Sequence, residues 1–149
     1  MENSYLDVHA ALTWLRGQPT VDANRVAVVG NGGGANVAFV SIGAFPQEIK
    51  TAVALSPGLW DRDQQPIGIG ARLEPFVPQS ILFLVGADDA VVTQDGSELS
   101  YARFASDLAA ATTDPKRLTV FQATTRHGLE LLDSPEAVDL LLTWLDSHL

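Results

Sequence analysis

Four short apolar runs, Val26–Val29, Ala52–Leu55, Ile81–Val85 and Leu118–Phe121, alternate with segments whose apolar residues recur at helical spacing. Runs of this length and composition read as strands buried on both faces of a sheet. The first helical segment starts near Ser4, with Asp7 three residues on as in a capping pattern. It carries Tyr5, Val8, Leu12 and Leu15, and Gly17 and Pro19 stop it. Val37, Ala38 and Val40 mark a second helix. A third is expected from about Ser97 to Ala111, with Tyr101, Phe104, Ala105 and Leu108 on one side. Ser134-Pro135-Glu136 gives an N-cap with proline at the first helical position, opening a last helix through Val138, Leu141, Leu142 and Leu145. Strands alternating with helices require right-handed crossovers. The expected architecture is therefore an α/β three-layer sandwich with a parallel sheet of about four strands.

The 149 residues suffice for one domain, 1–149, with a core that needs no staples. Residues 59–79 break the pattern as an irregular excursion punctuated by Pro66, Gly68, Gly70, Pro75 and Pro78. Trp60, Ile67, Ile69 and Phe76 there either line an apolar pocket over the sheet or pack the loop onto the core. The chain has no cysteine, which excludes disulfides, thiolate catalysis and cysteine-ligated zinc. Its three histidines, His9, His127 and His148, are scattered, so no metal site is expected. A net charge of −9 argues against nucleic acid and against anionic membrane surfaces. No segment has the length and apolarity of a membrane span, and the N-terminus lacks a signal-peptide pattern, so a cytoplasmic location is expected.

In a parallel α/β sheet ligands sit beyond the carboxyl ends of the strands. Gly30–Gly34, Ser56–Trp60, Gly86–Asp89 and Thr124–His127 all fall there. The first of these, Gly30-Asn-Gly-Gly-Gly34 between a strand and a helix, has the setting of the G-x-S-x-G nucleophile elbow. Gly32 stands where that motif has its serine, and a glycine has no atom that can attack a carbonyl.

Taken together, Asp22-Ala-Asn-Arg-Val-Ala-Val-Val-Gly30, Leu55-Ser-Pro-Gly58, Gly86-Ala-Asp-Asp89 and His127-Gly128 resemble the α/β-hydrolases. Within that superfamily they are most similar to small bacterial esterases of the dienelactone-hydrolase type. The order of nucleophile position, acid and histidine also matches. The resemblance covers nearly the whole chain and implies the C-terminal half of an α/β-hydrolase fold. It makes His127 the general base and Asp89 the group that orients it, with Asp88 as the competing acid. Asn31 and Gly33 fall in the oxyanion or anion-binding loop. The implied chemistry is carboxylic-ester hydrolysis on a small ester-like ligand, with no cofactor.

Two departures from the family imply that activity is weak or lost. One is Gly32: glycine takes the elbow's backbone angles without the strain, about 1–3 kcal/mol, that a residue with a side chain pays there. The other lies upstream. The family has about four further strands before this elbow, and a loop among them supplies one oxyanion N–H. A chain shortened in this way would expose the 26–29 strand as an apolar edge without proline or lysine. A homodimer sealed along that edge, or a partner completing the sheet, is expected. The alternative is that the N-terminal helix or the 59–79 excursion folds over it.

Two other functions fit the same residues. Gly30-Asn-Gly32-Gly-Gly-Ala35 satisfies G-x-G-x-x-A, the dinucleotide fingerprint, between strand and helix. No Asp or Glu closes the next strand, which ends in Leu55-Ser56-Pro57, to hold a ribose. A smaller anion on the same amides is the softer form of this reading. The remaining enzyme option keeps His127 and Asp89 and uses water directly, with Asn31 or a backbone N–H positioning it. General-base assistance of that kind contributes about 10²–10⁴ in rate. Ser56 faces the same crevice but reads as strand-end punctuation before Pro57.

Overall fold

The computed structural model describes residues 4–58 and 78–149. In chain order it contains α1 (Ser4–Arg16), β1 (Ala27–Asn31), α2 (Gly33–Ala44), β2 (Thr51–Leu55), β3 (Gln79–Gly86), β4 (Ala90–Val92), β5 (Glu98–Ser100), α3 (Tyr101–Ala110) and β6 (Thr113–Phe121). A 3-10 helix, Gly128–Asp133, then leads into α4 (Pro135–His148). The main sheet has the order β1-β2-β3-β6, every pair parallel. Residues 59–77 are not described, so both readings of Trp60, Ile67, Ile69 and Phe76, pocket lining or loop packing, lie outside the described residues.

Alternation along the two central strands assigns the two cores. Ala52 and Ala54 of β2, with Ile81 and Phe83 of β3, pack against Leu12 of α1, Phe39 and Ile42 of α2 and Leu108 of α3. Val53, Leu55, Leu82 and Leu84 point the other way, onto Leu131 and Trp144. Both faces are covered, which is why these strands read as unbroken apolar runs. The small Ala52 and Ala54 let α2 lie close to the sheet. On the opposite face the Trp144 indole N–H donates to Thr51 Oγ1 at 2.6 Å, tying α4 to the start of β2. The helix α1 docks on α2: Leu12 is buried, and His9 stacks on Phe45 with ring centroids 4.6 Å apart.

Several local expectations need correction. The first strand runs to Asn31, not Val29, because parallel pairing with β2 continues from Ala27–Thr51 through Asn31–Leu55. Nor is it buried on both faces: Val29 is 48% exposed, since β1 pairs with β2 alone among the described residues and α1 packs on α2 instead of closing over it. Ser4 lies within α1 and does not precede it.

The segment from Ser97 does not begin a helix. Glu98–Ser100 pair antiparallel with Ala90–Val92, and α3 starts at Tyr101, where the Ser100 hydroxyl accepts from the Arg103 N–H. Asp95 organises that hairpin's turn, accepting from the Thr93 hydroxyl and the Ser97 N–H. Those bonds, Thr93's first, hold its carboxyl down at about 2. Its contribution to the turn is therefore present above the ordinary carboxylate range and lost as pH falls towards 2. The last strand begins at Thr113, five residues before its apolar run, because its first half is exposed and polar while still pairing with β3. The proline at the first position of α4 is present, but the Ser134 side chain makes no capping bond.

Candidate functional site

The carboxyl ends of β1, β2, β3 and β6 bring four turns together. At the first, β1 runs through Gly30 and Asn31 into α2, with Gly32 as the N-cap at φ 50°, ψ −109°. That left-handed φ suits glycine. The Gly32 N–H donates to Leu55 O at 2.9 Å, which anchors the turn to β2. Gly30 is required by close approach: a Cβ there would lie 2.1 Å from the Gly34 carbonyl oxygen. Gly34 has no such constraint, as a Cβ there meets nothing within 4 Å.

His127 follows β6 and caps the 3-10 helix, its N–H held by the Glu130 carboxylate at 3.2 Å. Its Nδ1 lies 3.0 and 3.1 Å from the two carboxylate oxygens of Asp89 at the end of β3. Asp89 is 2% exposed, whereas Asp88 is exposed and donates its backbone N–H to Thr124 O. A carboxylate can only accept, so Nδ1 is the donor, and in the neutral ring Nε2 carries the lone pair. A Cβ built on Gly32 would lie 3.3 Å from that Nε2 and meet no other described residue beyond its chain neighbours within 4 Å. The histidine thus faces the position at which the elbow motif carries its side chain. Gly33 is the first residue of α2, and the first amides of a helix have no intrahelical acceptor.

Several supports of this arrangement were not legible beforehand. The Ser56 hydroxyl, fully buried, accepts from the Gly128 N–H at 2.8 Å, and the Ser56 N–H donates to Leu84 O at 2.9 Å. Ser56, at φ 46°, therefore fixes the histidine's loop to the end of β2. The side-chain oxygen of Asn31 sits 1.6 Å from where a Cβ on Gly128 would fall, and Gly128 has φ 57°. Glycine after His127 is thus favoured by its φ, and the Asn31 side chain packs on the loop that carries the histidine. Tyr101 places its ring edge-on to His127, centroids 4.5 Å apart, and its N–H donates to Asp89 O at 2.9 Å. Burial, and then the Asp89 charge, raise the Tyr101 phenol's pKa, so it stays a neutral ring beside the pair. Asn36, buried in α2, bonds both the N–H and the carbonyl of Gly58. Serine, tyrosine and asparagine carry no spacing signal for such roles, because each contact joins distant segments.

Removing the Ser56 hydroxyl strands a buried amide, which costs about 1–3 kcal/mol. Ser56→Ala is therefore expected to lower the unfolding free energy by that amount in a urea titration, read as a lower midpoint at unchanged slope. An unchanged midpoint would mean that the Gly128 amide has another acceptor.

Among the described residues no group of three or more His, Cys, Asp and Glu could hold a metal ion. No described helix is long and apolar enough to cross a membrane. A cleft of about 660 Å³ lies along β6, lined by Phe121, Thr124, Arg126 and Glu136 among others; neither Asp89 nor His127 lines it.

No family model matches the chain. Uncharacterized proteins from two strains of Mycobacterium tuberculosis are each 29% identical over 150 residues, which covers 93% of this chain and 51% of theirs. The chain spans about half the length of these curated relatives. Among solved structures it is similar to a dienelactone hydrolase from Anabaena variabilis, with a TM-score of 0.70, 19% identity, and 97% of this chain and 59% of that one covered. An esterase from Pyrococcus furiosus superposes with a TM-score of 0.66 at 16% identity, over 98% of this chain and 62% of that one. An α/β-hydrolase enzyme from a Medee basin deep-sea metagenome library gives 0.66 at 17%, over 96% and 63%. The chain has an α/β-hydrolase-type fold: a parallel four-stranded sheet with helices on both sides.

Proposed function

We propose that this is a carboxylic-ester hydrolase site whose acyl-enzyme route is closed at Gly32, leaving weak activity at most. One observation carries the reading. The Nε2 of a histidine oriented by a buried aspartate lies 3.3 Å from the Cβ position of a glycine at a strand-to-helix elbow. In this reading Asp89 fixes the tautomer and His127 is the base. The Gly33 amide, with Asn31 nearby, forms the oxyanion side, and the ligand is a small ester. The test is to install a hydroxyl at the elbow. Gly32→Ser is expected to show a burst and then turnover on a short-chain p-nitrophenyl ester, abolished by His127→Ala. A rate equal to that of the unmodified protein would contradict the assignment.

The outer edge of β1 supports a second element of the proposal, a homodimer formed by strand pairing along Ala27–Asn31. Val29 is 48% exposed on a strand with one neighbour among the described residues. An apolar edge of this kind invites pairing. Light scattering at micromolar concentration is expected to give a dimer that Val29→Lys converts to monomer. A monomer at every concentration would remove this element.

A further inference from the structure

The same geometry that closes the acyl-enzyme route leaves room for a different nucleophile. Within 4 Å of the Cβ position at Gly32, the described residues beyond its chain neighbours contribute one atom, His127 Nε2 at 3.3 Å. That nitrogen is the lone-pair side of a ring whose other nitrogen is bound to Asp89 at 3.0 and 3.1 Å. The ring is further fixed by Tyr101 on its side and by the Ser56–Gly128 bond beneath its loop. A base held this firmly, with side-chain-sized space before it among the described residues and helix N-terminal amides alongside, is equipped to bind and deprotonate a small molecule.

We propose that the space beside Gly32 is a nucleophile subsite, occupied by water, from which His127 drives direct hydrolysis of an ester. The inference rests on the proposed hydrolase site and specifies how it acts without its own nucleophile. The step balances without a covalent intermediate. A water O–H proton moves to Nε2 as the oxygen bonds to the carbonyl carbon. The carbon–oxygen bond to the leaving group then breaks, and the departing alkoxide takes the proton from Nε2. Any small neutral nucleophile that fits the same space follows the same path. Hydroxylamine would give the hydroxamic acid in place of the carboxylic acid, through a new carbon–nitrogen bond and the same proton transfer. A methyl at position 32 blocks the subsite. An oxygen hydrogen-bonded to Nε2 on that side would fall inside van der Waals contact with a carbon 3.3 Å from the same nitrogen.

The experiment compares the unmodified chain, Gly32→Ala, Gly32→Ser and His127→Ala on p-nitrophenyl acetate, with and without hydroxylamine. The unmodified protein is expected to exceed His127→Ala by about 10²-fold, the lower end of general-base catalysis. Its time course should lack a burst, and it should divert product to hydroxamate in a His127-dependent way. Gly32→Ala should fall to the His127→Ala rate. An unmodified chain no faster than His127→Ala overturns the inference, as does a folded Gly32→Ala that keeps the full rate. Should Gly32→Ala fail to fold, hydroxamate formed by the unmodified chain decides, because that arm needs no substitution at the elbow. A Gly32→Ser burst beside an inert unmodified chain sinks the water route and leaves the hydrolase site standing. No activity in either sinks both.

Discussion

Gly32→Ser is expected to raise ester hydrolysis by about 10²-fold or more over the unmodified chain and to introduce a burst of acyl-enzyme formation. In a complete triad, loss of the serine or the histidine costs on the order of 10⁶ in kcat, and the residual rate comes from binding and the oxyanion donors. Here His127 Nδ1 lies 3.0 Å from Asp89 and its Nε2 3.3 Å from the Cβ position, the geometry that the proposed base and orienting acid require. The variant supplies the group this arrangement faces. The gain is set below the full figure because each oxyanion donor that is not well placed costs about 10²–10³. Seating a side chain at φ 50° also draws on folding stability by about 1–3 kcal/mol. The measurement is p-nitrophenyl ester turnover with rapid mixing to resolve the burst. A linear time course at the parent rate would show that the elbow does not present its side chain to His127.

The second large effect is on stability, and it has a built-in control. Gly30→Ala is expected to destabilise the fold by about 3 kcal/mol or more, because the new methyl would lie 2.1 Å from the Gly34 carbonyl oxygen. Backbone cannot rotate away as a flexible side chain would, so β1 and α2 must separate. For a chain of this length each kcal/mol moves the midpoint by roughly 2–4 °C. The melting temperature should therefore fall by roughly 6–12 °C. Gly34→Ala carries the same chemical change four residues on, at an exposed position in the first turn of α2 where a Cβ meets nothing. It is expected to be neutral or to stabilise by about 0.4–1 kcal/mol, since alanine loses less backbone entropy in a helix. Equal melting temperatures for the two variants would mean that the strand-to-helix junction is looser than its contacts imply.

How much of this was legible in the sequence depends on the range of the interaction. The parallel sheet followed from Ala52–Leu55 and Ile81–Val85, where burial on both faces removes polar residues from the strand itself. The elbow was legible because Gly30 and Gly32 answer local demands, a close backbone approach at one and a positive φ at the other. Asp89 and His127 were singled out by the resemblance of Gly86–Asp89 and His127-Gly128 to α/β-hydrolase motifs at strand ends, and the structure puts their side chains together. The polar half of β6 was missed because Thr113, Lys116 and Arg117 pair with β3 while exposed, so backbone pairing holds them with no apolar signature. The β4–β5 hairpin was missed for a related reason. Its three-residue strands are too short for a period, and its turn is set by Asp95 side-chain bonds. Ser56, Asn31 and Tyr101 act through contacts to residues of other elements, Ser56 and Asn31 to Gly128 and Tyr101 to His127. Their role follows from the tertiary fold and from nothing near them in sequence.

The central claim is that the Asp89–His127 pair is aimed at the side-chain position of residue 32. The most direct test is intact-mass analysis after treating Gly32→Ser, the unmodified chain and Gly32→Ser/His127→Ala with a fluorophosphonate. A single adduct on the introduced hydroxyl, formed in Gly32→Ser and absent from both the unmodified chain and the double variant, is the predicted result. No adduct in a folded Gly32→Ser, or one that forms equally fast without His127, would contradict it.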